Sequence, residues 1–174
     1  MIPRAKPANI LIRTMLLADL PEVEAIDQSV FSLPWPTGSF LYELRTNSNS
    51  IDLVAVDSER PLGRQIVGMV VVWMIADEAH VATLAILPEY RHQGIALRLM
   101  ATALAKAQKE GMVKSLLEVR AGNTDALSLY FGLGYHTVGL RPGYYEDNHE
   151  DALLLTLEKL DSALLNKLSA EKSD

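Results

Sequence analysis

Six consecutive residues, Arg91-His92-Gln93-Gly94-Ile95-Ala96, lie between a strand-like and a helix-like segment. A helix N-terminus offers unpaired N–H groups and a partial positive charge, so this spacing suits a bound anion, phosphate above all. Gly94 lets the backbone come close to a ligand, and Ala96 leaves room beside it. The same segment also reads as an ordinary loop containing a glycine. It is not a Walker loop, because no Gly-Lys-Ser/Thr follows, and it lacks one glycine of the dinucleotide fingerprint. Glu118 is a charge inside the apolar stretch Leu116–Val119, which by itself describes a carboxylate on a solvated strand face. Asn123 suits a turn at a strand end. Tyr130, flanked by Leu129 and Leu133, suits a helix aromatic turned to the core. Tyr144 and Tyr145 follow Gly143 in a polar loop, and Trp35 stands between two prolines. The histidines, His80, His92, His136 and His149, form no close pair, so no metal site is expected.

The elements that must position these residues follow from periodicity. Ile10 to Met15 is an expected strand. Asp19, with Pro21 and Glu22 behind it, predicts a helix N-cap and a helix to about Val30. Phe31 to Pro36 breaks that helix with two prolines, and Thr37 is placed to cap a second helix through about Arg45. Ile51–Val56, Ile66–Ile75 and His80–Leu87 read as three strands of an antiparallel meander. Leu97, Met100, Leu104 and Ala107 recur at helical spacing, which predicts a helix over Ala96–Lys109 ended by Gly111. Leu116–Val119 is a strand, and Thr124–Leu133 is a helix closed by Gly134. Tyr135–Leu140 and Asp151–Leu157 are the last strands, and Leu160–Leu168 is a short helix. This order predicts an α/β protein with a mixed, mostly antiparallel sheet and helices on both faces. The expected organisation is a lead-in at residues 1–9, one domain at 10–158 and a helical tail at 159–174.

The chain has 174 residues, the length of one domain. With 49% hydrophobic and 22% charged residues it has the composition of a folded protein, not a disordered one. Sixteen Lys and Arg against 22 Asp and Glu give a net charge of −6, which argues against coating nucleic acid or an anionic membrane. The longest apolar run, Val67 to Ala76, is far short of the ~20 residues of a spanning helix. No signal-like segment opens the chain, and cysteine is absent. Both point to the cytoplasm, and a cysteine nucleophile is excluded.

The stretch Val81 to Tyr90 followed by Arg91-x-x-Gly94-x-Ala96 resembles the acetyl-coenzyme A motif of the GNAT N-acetyltransferases. Leu117-Glu118-Val119-Arg120-Ala121-Gly122-Asn123 resembles the family's next strand and its exit. Ala126-Leu127-x-Leu129-Tyr130-x-x-Leu133-Gly134-Tyr135 resembles the helix that follows. Phe31 through Pro34-Trp35, Arg141-x-x-Tyr144-Tyr145 and His149-Glu150-Asp151-Ala152 narrow the likeness to the RimI type, which acetylates the N-terminal alanine of a ribosomal protein. The resemblance spans about residues 10–157.

The resemblance implies the GNAT fold, acetyl-CoA as cosubstrate and no metal. It implies that backbone groups of Leu84, Ala85 and Ile86 hold the pantetheine arm, and that Arg91, His92, Gln93, Gly94, Ile95, Ala96 and Leu97 hold the pyrophosphate. Asn123 matches the side chain near the cofactor arm. His92 and Gln93 depart from the family, where basic residues are frequent, so phosphate binding should lean on backbone N–H groups and Arg91, with a pH dependence through His92. Glu118 takes the general-base position, and Tyr130, twelve residues on, takes the general-acid position. Trp35, Tyr144 and Tyr145 would line the acceptor groove.

Freeing the lone pair of an α-amine of pKa ~8 at pH 7 costs ~1.4 kcal/mol, against ~4.6 kcal/mol for a lysine of pKa ~10.4, so one carboxylate suffices for an N-terminal amine. The implied acceptor is a protein or peptide N-terminus, with attack in a ternary complex. The rival readings are a small amine or a lysine as acceptor, and a non-catalytic coenzyme A sensor. The expected state is a monomer or weak homodimer.

Overall fold

Val67 to Val72 carries no charge and is wholly buried, so it can only lie in the middle of a sheet covered on both faces. The computed structural model, which describes residues 9–170, places it there. In chain order the elements are β1 (Ile10–Thr14), α1 (Leu20–Val30), α2 (Ser39–Thr46), β2 (Ser50–Asp57), β3 (Ile66–Ile75), β4 (Glu78–Ile86), α3 (Ile95–Lys109), β5 (Lys114–Arg120), α4 (Thr124–Gly132), β6 (His136–Arg141), β7 (Ala152–Leu157) and α5 (Ser162–Ala170). The seven strands form one sheet in the order β1-β2-β3-β4-β5-β7-β6. All neighbours are antiparallel except β4 and β5. This is the mixed sheet expected. The lead-in proposed for residues 1–9 falls, but for Asn9, outside the described residues.

Strand alternation divides the core in two. Val70 and Val72 of β3 join Leu117 and Val119 of β5 under α3, α4 and α5, while Met69 and Val71 meet Val23 and Ile26 of α1 and Phe40 of α2 on the other face. In α3 the residues Leu99, Met100, Ala101, Ala103, Leu104 and Ala107 are all 0% exposed. Its alanines let the helix lie close to the sheet. Leu160 and Leu165 of the last segment belong to the same core, so α5 is packed down on the domain.

Two helix starts differ from expectation. Asp19 stands at the N-cap of α1, as expected, but its side chain makes no cap bond; its carboxylate takes both Arg13 guanidinium nitrogens, at 2.6 and 2.9 Å, and the Leu16 N–H at 2.8 Å. Glu22, read as its capping partner, instead accepts from the Ile66 N–H at 2.8 Å. The arginine fork holds both carboxylate oxygens in two parallel ion-to-ion bonds, which outweigh a single bond from an uncharged N–H. The cap of α2 is Gly38, at φ +86°, and not Thr37. A side chain is disfavoured there by the left-handed backbone.

Gly68 marks the tightest approach in the sheet. A Cβ at this position would meet Ile86 Cδ1 at 2.5 Å and the Ala85 carbonyl oxygen at 3.0 Å. Gly68→Ala should therefore destabilise the fold by about 1–3 kcal/mol through overpacking, read as a lower urea midpoint with unchanged slope.

The feature that builds a site is where β4 leaves β5. They pair only over Glu78–His80 and Lys114–Leu116. Beyond that, β4 runs on to Ile86 and β5 to Arg120 without bonding each other, leaving a wedge between two backbone edges. Glu78 fastens its apex, with Lys114 Nζ at 2.7 Å and His80 Nε2 at 2.8 Å.

Candidate active site

Leu84, Ala85 and Ile86 pair on one side with Val70, Met69 and Gly68 of β3, so their other edge faces the wedge. A backbone edge with no strand beside it needs other partners for its N–H and C=O groups. Past Ile86 the chain makes a 3₁₀ turn, Pro88–Tyr90. Tyr90 pins this turn by donating its hydroxyl to the buried Asp57 carboxylate at 2.6 Å. Burial, with that acceptor second, pushes the phenol up to about 12.

The loop that follows is exposed and bent by two left-handed residues, His92 at φ +58° and Gly94 at φ +73°. A histidine in that region is strained, which is a mark of functional loops. Among the described residues, none of the backbone N–H groups of His92, Gly94, Ile95, Ala96 or Leu97 meets an acceptor, and the first helical bond runs from the Arg98 N–H to the Gly94 carbonyl at 3.0 Å. Free donors at the start of α3 are what an anion needs. Arg91 folds back so that its Nε donates to the Ile86 carbonyl at 3.2 Å. Gln93 donates to the Glu89 carbonyl at 3.2 Å, and His92 faces Asp125 at 3.6 Å across the mouth of α4. Asn123 caps α4, accepting from the Ala126 N–H at 3.1 Å.

On β5, Leu117 and Val119 enter the core beneath α3 and α4, so Glu118 and Arg120 must project from the opposite face. Glu118 is not simply solvated, since Arg141 Nη1 lies 3.1 Å from its Oε1. The Tyr144 hydroxyl is held above its ordinary value first by a hydrogen bond to Glu118 and then by that carboxylate's charge. Tyr130 approaches from the other side. It is 7% exposed and lies 5.7 Å from the Tyr135 ring. Burial, with the nearby Tyr145 second, pushes its phenol up to about 12. Glu118 and Tyr130 thus flank β5 from its two faces.

Sequence reasoning missed the group that assembles this region. Arg120 bonds Asp147 through Nη2 at 3.0 and 2.8 Å, Ser32 through Nη2 at 3.2 Å, and Asn148 and Glu150 through Nη1 at 3.1 and 3.2 Å. Its guanidinium lies 3.8 Å over the Tyr145 ring. It therefore ties the β6–β7 loop and the segment after α1 to the strand that carries Glu118. The signal was available, because i and i+2 share a strand face.

Trp35 stands apart from the tyrosine pair. It stacks on Phe40 at 4.8 Å and on Trp73 at 6.0 Å. Its backbone N–H donates to Asp27 Oδ2 at 2.7 Å, a carboxyl that burial pushes up. Tyr144 and Tyr145 meet edge to face at 5.2 Å beside Glu118 and Arg120. Of the three expected groove residues, then, two gather at Glu118, and Ser32 rather than Trp35 reaches the β6–β7 loop. Among the described residues there is no cluster of three metal-ligating side chains, and no helix is long and apolar enough to cross a membrane.

Residues 20–135 match the model of the acetyltransferase (GNAT) family. The chain is 35% identical over 144 residues to the putative [ribosomal protein bS18]-alanine N-acetyltransferase of Bacillus subtilis, covering 83% of this chain and 92% of that one. It is 27% identical over 148 residues to the [ribosomal protein bS18]-alanine N-acetyltransferase of Escherichia coli, covering 84% and 95%. The crystal structure of the ribosomal-protein-S18-alanine N-acetyltransferase from Escherichia coli superposes with a TM-score of 0.75 at 26% identity, covering 87% of this chain and 94% of that one.

Proposed function

The chain belongs to the GNAT acetyltransferase family, and from that premise we propose that it moves acetyl from acetyl-coenzyme A to the N-terminal α-amine of a protein. The acceptor is a ribosomal protein beginning with alanine, so the reaction is cytoplasmic. The observation that carries this reading is the wedge between β4 and β5, with free N–H donors beyond one arm and the Glu118 carboxylate on the other.

The site fits the cosubstrate. The unpartnered N–H groups of His92, Gly94, Ile95, Ala96 and Leu97 suit a pyrophosphate, with Arg91 at the rim, and the open edge of Leu84–Ile86 suits an amide-bearing arm. When bound, acetyl-CoA supplies the reactive thioester. Glu118 takes the proton of the incoming ammonium through water. The amine nitrogen then bonds the acetyl carbon, the carbon–sulfur bond breaks, and Tyr130 gives its proton to the departing thiolate; the nitrogen sheds its second proton as the neutral amide forms, and that proton restores the Tyr130 phenol. A backbone N–H on the free edge of β4 polarises the thioester carbonyl. Asn123, already capping α4, keeps its amide N–H groups for the cofactor arm.

An α-amine suits one carboxylate better than a lysine does, and Tyr144 and Tyr145, meeting edge to face beside Glu118, are the side chains this reading gives to the acceptor peptide. A coenzyme A sensor would need neither Glu118 nor Tyr130. The reading is tested with a peptide library varied at its first residues, incubated with acetyl-CoA and read by mass spectrometry. Alanine-first peptides should be acetylated fastest. Turnover of spermidine-like amines but of no peptide would overturn the reading.

A further inference from the structure

On the same sheet face as Glu118, α2 and β3 enclose an open cleft of ≈ 270 Å³ lined by Trp35, Pro36, Ser39, Tyr42, Glu43 and Trp73. Its lining is two indoles, a phenol, a proline, a serine and one carboxylate, that of Glu43. Glu43 is anchored, accepting from Trp73 Nε1 at 3.1 Å and Asn47 Nδ2 at 2.7 Å through one oxygen, Oε2. Behind it lies a second carboxylate, Asp52, close enough to feel its charge. Asp52 is 8% exposed and its Oδ1 has no partner. Among the described residues, no lysine or arginine lines the cleft. Aromatic faces beside a fixed carboxylate, with a second carboxyl behind it, attract a cation.

The register says how far this cleft is from the chemistry. Trp73 pairs with His80, and His80 pairs with Leu116, which is two residues before Glu118. Two strand spacings across and two residues along give about 12 Å. An extended peptide covers that in roughly three to four residues. We propose that the Trp35–Trp73–Glu43 cleft is a subsite for a cationic side chain, arginine or lysine, at the third or fourth position of the acceptor. The inference rests on the N-terminal acetyltransferase reading and adds a charge preference to it. Tyr42, 58% exposed at the rim, covers the bound side chain from solvent.

The test uses alanine-first peptides that differ only in carrying arginine or its neutral isostere citrulline at one position from two to five. The wild-type enzyme should favour arginine by about tenfold in kcat/KM at position three or four, and by little at the others. Glu43→Gln should bring the arginine peptide down to the wild-type rate for the citrulline peptide. Since Glu43 also holds Asn47 and Trp73, Tyr42→Ala is the second variant, and it should lose part of the preference. Equal kcat/KM for arginine and citrulline at every position would overturn the subsite while leaving the function intact. Failure to acetylate any of these peptides would overturn the function and the subsite with it.

Discussion

Glu118→Gln should lower kcat for an alanine-first peptide by about 100-fold near neutral pH, with KM for acetyl-CoA little changed. Glutamine keeps the shape but cannot accept the ammonium proton. The deficit should depend on pH in a way that a structural defect would not. Below pH ~8 the α-amine arrives protonated and needs a base; above it the amine arrives free. The variant should therefore recover toward wild-type rate as pH rises past 8, while wild type levels off. Loss of the Arg141 ion pair is common to every pH and would give a constant offset instead. Tyr130→Phe should cost less, about tenfold, because a thiolate departs readily without an acid. Its phenol, pushed to about 12, stays protonated throughout this range.

Arg120→Ala should raise KM for the peptide on the order of tenfold while leaving KM for acetyl-CoA alone. The guanidinium binds the β6–β7 loop through Asp147, Asn148 and Glu150 and the post-α1 segment through Ser32, and the loop's Tyr144 bonds Glu118. Without it the two segments lose their common anchor and Tyr145 loses the cation over its ring. Arg120→Lys should recover only part of the effect, since one ammonium cannot fork between Asp147 and Glu150. The clamp also carries a pH signature. Asp147 is held below the ordinary carboxylate range first by the Ser32 hydroxyl and then by Arg120, and Glu150 first by the Gly122 N–H and then by Asn148. Depressed folded values mean that the stabilisation is present at neutral pH. It is lost as pH falls below about 4 toward those lower values. Peptide KM for wild type should rise over that acid window, and the Arg120→Ala variant should show less of that rise.

What the sequence made legible is what short-range physics decides. The uncharged run of β3, the apolar stripe of α3 and the glycine between strand and helix at Gly94 each announce themselves within one element. The wedge is different. It depends on β4 and β5 pairing for three residues and then parting, and a pairing register is a property of two distant segments. The same limit explains Asp19. Its capping pattern with Glu22 is local and plausible, but Arg13 across a turn binds it more strongly. It explains Arg120 as well, whose partners stand 27 to 88 positions away. The same holds for Trp35: its ring neighbours Phe40 and Trp73 are 5 and 38 positions away in the chain, while Tyr144 and Tyr145 meet each other beside Glu118, and no local pattern separates the two settings.

The central claim is that the wedge presents acetyl to an N-terminal α-amine. Its most direct test is one peptide that begins with alanine and carries an internal lysine, acetylated to partial conversion and sequenced by tandem mass spectrometry. Acetyl on the alanine nitrogen alone, abolished when that nitrogen is blocked beforehand, is the predicted result. Acetyl on the lysine side chain with the alanine nitrogen free would contradict the account.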